Sequence, residues 1–316
     1  MSIDGPVRQV PEKTLLVDGN NLLMRALFAM AHSGLSDSRG LPTGPLLVFI
    51  NTLSRHVVEE SPDRVMVCWD GGRSERRTAS SDDYKAQRGA GPVIESKESA
   101  FGLAKEFLTL AGVPHVERPG LEADDLIGHF WRDAHESGDW LQRRVILSSD
   151  KDFLQLVDER TDQVRLSSSG TPTDRWILDR VMDAHGCTPN MLPYAMALAG
   201  DTVDGVVGLH RIGMKTAVKI LRESDWFWDD ALKHPKVEPH RELAERNLPL
   251  VDLRHSYESI PVDPQIPTFR PTGPDSQMFE ELLKFLSEHD MRTVRSRVIS
   301  GALWSSQNRE TTGSGD

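Results

Sequence analysis

Nine carboxylates fall in five short clusters: Asp18; Asp70; Glu122, Asp124 and Asp125; Asp150 and Asp152; Asp201 and Asp204. Carboxylates a few ångströms apart suppress one another's ionisation. A converging set of this size stays charged only with cations between its members. Hard oxygen ligands in that number select Mg²⁺ or Mn²⁺, and with them phosphate chemistry. A second constellation lies between Gly205 and Arg222, which carries Arg211, Lys215, Lys219 and Arg222 and no acid. Its segment Gly208-Leu-His-Arg-Ile-Gly-Met-Lys-Thr216 reads as a glycine-containing hairpin opening a helix. Such a turn presents backbone N–H groups to phosphate, and Lys215 adds charge in the first helical turn. A third is Tyr84-Lys85-Ala-Gln-Arg88, with Lys85 and Arg88 three apart on one face of a potential helix. In a protein that cuts phosphodiesters, such a pair can hold the scissile phosphate.

Each feature also has a plainer reading. Asp-Gly at Asp18 and Asp70 is a common turn signal. Acids opening a helix, as in Glu122-Ala-Asp-Asp125 and Asp150-Lys-Asp152, cap N–H groups and suit the helix dipole. Capping accounts for one or two members of each cluster but not for all of them, so Asp125 stands open as ligand or cap. Asp201 and Asp204, just past a helix end at Gly200, are aimed at one point by helical spacing or by a tight turn. The hairpin alone could be an interhelical turn, and Lys85 with Arg88 a solvated basic face.

The elements that must position these groups are legible. Thr14–Val17, Arg64–Trp69 and Val145–Leu147 are apolar, strand-like runs that lead into Asp18, Asp70 and Asp150. Continuous apolar strands alternating with amphipathic helices predict a parallel sheet covered on both faces. In such sheets the ligand site lies beyond the carboxyl ends of the strands, the end at which three of the acidic clusters sit. Helices are expected over 21–31, 44–59, 95–111, 124–135, 152–157, 177–185, 190–199, 214–222, 277–288 and 293–304. The polar run from Gly71 to about Gly91 is too long for a plain connection and reads as functional or disordered.

The bulk composition sets bounds. At 316 residues, 38% hydrophobic and 27% charged, the chain has the make-up of a globular protein of two domains. No run approaches the roughly 20 apolar residues that span a bilayer, and MSIDGPVRQVPEK is not a secretion signal. Two cysteines, Cys68 and Cys187, read as reduced and structural, which points to the cytoplasm. A net charge of −11 argues against a nucleic-acid partner until its distribution is considered. Most of the excess lies in the clustered carboxylates, which metal would offset, while a local basic face is what a phosphate backbone meets.

Taken together, LLVDGNNLLMRALFA, VMVCWDGGRSERR, DYKAQR, GLEADDLIG, LSSDKDFLQLV and LAGDTVDG…IGMKTA resemble the 5′-nuclease family, in the family's order. The family includes flap endonucleases, free-standing phage 5′–3′ exonucleases and the N-terminal 5′-nuclease domain of bacterial DNA polymerase I. The likeness covers roughly residues 13–225. It implies an α/β PIN-like parallel sheet flanked by helices, a helical arch through which a single strand passes, and a C-terminal helix–hairpin–helix (helix-3-turn-helix) region. The expected division is a disordered 1–12, a nuclease domain over 13–186 with the arch at about 71–100, the DNA-gripping region with C-terminal helices over 187–304, and a disordered 305–316.

By motif position the resemblance makes Asp18, Asp70, Glu122 and Asp124 ligands of one metal. Asp150, Asp152, Asp201 and Asp204 form the second group, with Asp125 between them or in an outer shell. Lys85 and Arg88 match the arch residues that touch the scissile phosphate, and Arg25 a basic residue just after the first Asp. Tyr84 is placed to stack on a base. Gly208, Arg211, Gly213, Lys215, Thr216 and Lys219 line the DNA grip. Family hairpins often hold a monovalent cation such as K⁺ on backbone carbonyls. Here Arg211 stands where glycine is usual, which argues for a different bend and for an extra phosphate contact in place of that ion.

The implied activity is structure-selective 5′ nuclease action on DNA by two-metal-ion catalysis, in replication or repair. The implied partners are DNA with 5′ ends or flaps, RNA–DNA hybrids, and a separate polymerase, for a monomer in the cytoplasm of a bacterial or phage-infected cell. Two alternatives share parts of the pattern. A PIN-type ribonuclease has the acidic pocket but needs no such hairpin, and a non-catalytic DNA-junction binder is expected to have lost ligands.

Overall fold

The computed structural model describes residues 12–31, 33–41, 43–80, 97–136, 142–166, 174–254, 263, 265–273 and 276–305. Tyr84, Lys85 and Arg88, much of the expected arch and nearly all of the two expected disordered ends lie outside them. Among the described residues, six strands form one sheet: β1 (Lys13–Asp18), β2 (Arg64–Gly71), β3 (His115–Pro119), β4 (Arg143–Leu147), β5 (Thr161–Arg165) and β6 (Asp174–Trp176). Their order is β3-β2-β1-β4-β5-β6. The first five run parallel and β6 is antiparallel to β5, so the sheet is mixed rather than wholly parallel.

Both faces of the strands are covered, which is why they read as unbroken apolar runs. Leu15 and Val17 of β1 join Val65, Val67, Trp69, Val145 and Leu147 on one face. That face lies under α1 (Gly19–Met30), α2 (Thr43–Glu60) and, after the short α3 (Glu75–Ser80), α4 (Lys97–Leu110). Leu16, Met66, Cys68 and Ile146 point the other way, against Leu126, Ile127 and Phe130 of α5 (Ala123–Glu136).

A further apolar cluster gathers α6 (Leu178–His185), α7 (Leu192–Ala199), α8 (Met214–Glu223), α9 (Trp228–Ala231) and α10 (Arg241–Val251). Finally α11 (Gln277–Glu288) and α12 (Arg292–Ile299) return to the first face, where Leu282, Phe285, Leu286 and Val294 close the core beside α4. Buried His289 bonds Asp37 Oδ2 at 2.9 Å and ties this return to the loop after α1. The last helix stops at Ile299 rather than Trp304: Gly301, at φ 70°, takes the left-handed conformation that ends a helix. The segment after Asp150 is a 3₁₀ turn, Lys151–Leu156, not an α-helix.

Candidate active site

Strand order reverses between neighbours β1 and β4, and the crevice beyond their carboxyl ends is where open α/β sheets bind ligands. Asp18 is the last residue of β1 and Asp150 lies just past β4. Asp18 caps α1 by accepting the Asn21 N–H at 2.9 Å, and its other oxygen accepts the Ser148 hydroxyl at 2.8 Å. Burial pushes its carboxyl up to about 7, the Asn21 and Ser148 bonds opposing and the charges of Asp70 and Asp150 adding to the rise. Cap and cluster member are therefore one residue; the two readings of Asp18 do not compete.

Asp70 sits at the end of β2. It accepts Asn20 Nδ2 at 2.6 Å and, across the sheet edge, the Ala123 N–H at the start of α5 at 2.8 Å. The glycine after it is required by proximity: a Cβ on Gly71 would lie 1.8 Å from the Arg118 carbonyl oxygen of β3. Asp70 thus faces the Glu122-Ala-Asp-Asp125 turn, where Glu122, Asp124 and Asp125 each offer an oxygen within 4.8 Å of the others. Into this group α3 sends Arg77, whose side chain is buried. Its Nη1 donates to Glu122 Oε2 at 2.8 Å and Asp124 Oδ2 at 2.9 Å, and its Nη2 pairs with Asp125 Oδ1 at 3.0 Å. Asp125 also accepts the Glu122 N–H at 3.0 Å, a cap-like bond. Burial holds its carboxyl above the usual range, Arg77 opposing and Asp124 adding to the rise.

The remaining four acids lie on the other side of Asp18. Asp150 caps the 3₁₀ turn by accepting the Asp152 N–H at 3.0 Å. Burial, then the charges of Asp150, Asp201 and Asp204, push Asp152 well above the carboxylate range. Asp201 and Asp204 are held by a tight turn, not by helical spacing: Asp201 and Val206 exchange backbone bonds at 2.8 and 2.7 Å. Lys151 reaches Asp201 Oδ2 at 2.9 Å. Burial works against its ammonium, but the bond and charge of Asp201, with Asp152 and Asp150, hold it above its ordinary value.

Beyond that turn the hairpin rests on α7 through a Leu209 N–H to Leu198 carbonyl bond of 2.9 Å. Buried Asn247 of α10 fastens it by donating to the Ala197 and Val207 carbonyls at 2.9 and 2.8 Å. Arg211, at the position where glycine is usual, has a φ of 59°, in the left-handed region that glycine enters most easily. Its side chain, with those of Lys215 and Lys219, is exposed, and Gly208, Gly213 and Thr216 border the same turn. Lys219 has Glu223 at 3.6 Å. Arg25 projects from α1 and donates to the Leu166 carbonyl at the end of β5 at 2.9 Å.

Sequence reading missed Arg77, Lys151, Ser148 and Asn20. Lys151 was visible as a cation between two acids, whereas Arg77 sits in Ser-Glu-Arg-Arg, which reads as solvated surface. Three observations fit the donor set to hard divalent cations. All the donors are carboxylate oxygens; burial and neighbouring carboxylates push Asp18 and Asp152 upward, a cost that a bound cation would offset; and Asp152 Oδ1 is shielded from solvent with no hydrogen-bond partner.

Comparison with known proteins agrees with this geometry. Residues 13–184 match the model of the 5′-3′ exonuclease, N-terminal resolvase-like domain, and the chain belongs to that family. A 5′-3′ exonuclease of Aquifex aeolicus is 34% identical over 67% of this chain and 70% of its own length. DNA polymerase I of Caldicellulosiruptor bescii is 32% identical over 67% of this chain, which spans only 24% of that protein. Among solved structures, a bacteriophage T5 flap endonuclease complexed with DNA and metal ions superposes with a TM-score of 0.64 at 19% identity, covering 92% of this chain and 98% of the other.

Proposed function

We propose that this chain is a divalent-metal-dependent 5′ nuclease that hydrolyses DNA phosphodiesters at 5′ ends and 5′ flaps. The observation that carries it is the gathering of buried, mutually repelling carboxylates at the switch point of the sheet, with a basic hairpin fastened directly beyond Asp201 and Asp204. Asp18, Asp70, Glu122 and Asp124 would hold one ion, and Asp150, Asp152, Asp201 and Asp204 the second, with Mg²⁺ or Mn²⁺ as the fitting cations. Asp125, engaged by Arg77 and the Glu122 N–H, serves the shell behind the first group. Bound cations supply Lewis acidity for an in-line displacement, activating water and stabilising the departing oxygen.

The protein's own residues do the rest. Ser148 and Asn20 orient Asp18 and Asp70, and Asn21 Oδ1 accepts the Ser149 N–H of the loop that leads to Asp150. Lys151 pairs with Asp201 and holds its carboxylate in place. Lys85 and Arg88 neutralise the scissile phosphate and Tyr84 stacks on a base, while Arg211, Lys215, Lys219 and the N-terminus of α8 grip the duplex as a helix–hairpin–helix would. Arg25, on the helix that Asp18 caps, contributes charge on the approach.

The setting that fits is DNA replication or repair in the cytoplasm, as a monomer acting together with a DNA polymerase. Among the described residues no helix is long and apolar enough to cross a membrane. The test is to incubate end-labelled 5′-flap, nicked, blunt and RNA–DNA hybrid substrates with Mg²⁺ or EDTA and map the products. Mg²⁺-dependent cuts at 5′ ends or flap junctions are expected. Binding without cutting, or cutting of RNA alone, would overturn the reading.

A further inference from the structure

Arg165, the last residue of β5, has no assigned role and an unusual environment. Its Nε and Nη2 are shielded from solvent and have no hydrogen-bond partner. A guanidinium stays charged in proteins, so it keeps its donors and needs acceptors. The natural acceptor is not used: Asp174, opposite Arg165 across the β5–β6 pair, bonds Trp176 Nε1 at 2.8 Å and Arg180 instead. Trp176 carries both guanidinium groups, with Arg165 Cζ at 4.6 Å and Arg180 Cζ at 4.2 Å from the ring centroid. One of the two is neutralised by Asp174; the other is held on the aromatic ring with donors to spare.

Position gives those donors a direction. β5 pairs with β4, and both end at the sheet edge where Asp150 follows. Burial lowers the Arg165 pKa, and the charges of Asp174, Asp150 and Asp152 oppose that fall. The next residue, Leu166, offers its carbonyl to Arg25 of α1. A polyanion entering that crevice meets nine carboxylates, more charge than two divalent ions, Arg77 and Lys151 can cancel. Cations on the border are what make entry favourable.

We infer that Arg165 binds a backbone phosphate of the nucleic-acid strand that enters the carboxylate crevice, with Trp176 holding its guanidinium in place. This rests on the nuclease reading above and adds a residue to it. The test is binding of 5′-flap DNA in EDTA, followed by anisotropy from low to moderate salt, for wild type, R165Q and R165K, with melting curves to check folding. R165Q is expected to bind roughly tenfold more weakly at low salt. Its log–log salt slope should be shallower by about 0.7 to 0.9, the signature of one lost phosphate contact. R165K should keep the slope and lose only part of the affinity, because an ammonium cannot stack as a guanidinium does.

Wild-type slope and affinity in R165Q would overturn the assignment, even if cleavage fell. So would unchanged DNA binding with a lower Mg²⁺ requirement, which would make Arg165 a counter-charge to the carboxylates. Should R165Q fail to fold, unchanged affinity in R165K would overturn it as well. A wild-type protein that binds DNA with the Arg165-dependent slope but cuts nothing would remove the nuclease reading and leave this site standing.

Discussion

Replacing Asp18 by asparagine isolates the free energy stored in the carboxylate crevice. Burial and the charges of Asp70 and Asp150 push this carboxyl from an ordinary 3.8 up to about 7. Below about pH 4 the folded and unfolded chains both carry the proton, and the group has no effect on stability. Between about pH 4 and 7 the folded state still holds a proton that the unfolded chain has released. Each pH unit in that window therefore lowers metal-free stability by about 1.4 kcal/mol. Above about pH 7 the penalty levels off at about 4 kcal/mol.

The asparagine side chain of D18N would carry no such charge, while its carbonyl can still accept the Asn21 N–H and its amide can donate to Ser148 Oγ. In EDTA at pH 8, D18N should be more stable than wild type by up to about 4 kcal/mol, and the two should converge at pH 4. Mg²⁺ should close the gap by stabilising wild type far more than the variant. Urea unfolding at pH 4, 6 and 8, with EDTA and with Mg²⁺, measures all of this. A D18N protein less stable than wild type at pH 8, or a difference independent of pH, would refute the reasoning.

Three further sets of substitutions probe the rest of the site. R77M leaves Glu122, Asp124 and Asp125 without their buried counter-charge and should cost about 3–5 kcal/mol of metal-free stability in urea unfolding; a loss under about 1 kcal/mol would mean the pairing contributes as little as a surface bridge. D201N and D204N should each raise the Mg²⁺ concentration needed for cleavage while leaving DNA binding measurable by anisotropy, and full activity of both in limiting Mg²⁺ would sink the second ligand group. K85A should lower turnover far more than duplex affinity; equal losses in kcat and binding would count against its place at the scissile phosphate.

What the sequence made legible follows from how completely each element is buried. The central strands are apolar along their whole length because both faces are covered, so Asp18, Asp70 and Asp150 could be assigned to one edge from the sequence alone. The outer strands could not be read. β3 is His-Val-Glu-Arg-Pro and largely exposed, and β6 has only three residues, so neither carries an apolar run. Helix α11 was legible to the residue because Ser276 caps it through a bond to the Phe279 N–H at 3.2 Å and its apolar stripe is regular.

Within the crevice, the carboxylates announced themselves by number and their counter-charges did not. Arg77 and Arg165 look like any surface arginine in the sequence. Only the approach of α3 to α5, and of β5 to β4, turns them toward acids. Arg211 was legible as an unusual residue for its place, and its left-handed backbone costs a non-glycine residue about 1–2 kcal/mol.

Anomalous diffraction from crystals grown with Mn²⁺ tests the central claim most directly. Two peaks are expected, one among Asp18, Asp70, Glu122 and Asp124 and the other among Asp150, Asp152, Asp201 and Asp204, with oxygens at about 2.0–2.2 Å as for Mg²⁺-type ions. Crystals with Mn²⁺ bound elsewhere and an empty carboxylate crevice would contradict the account.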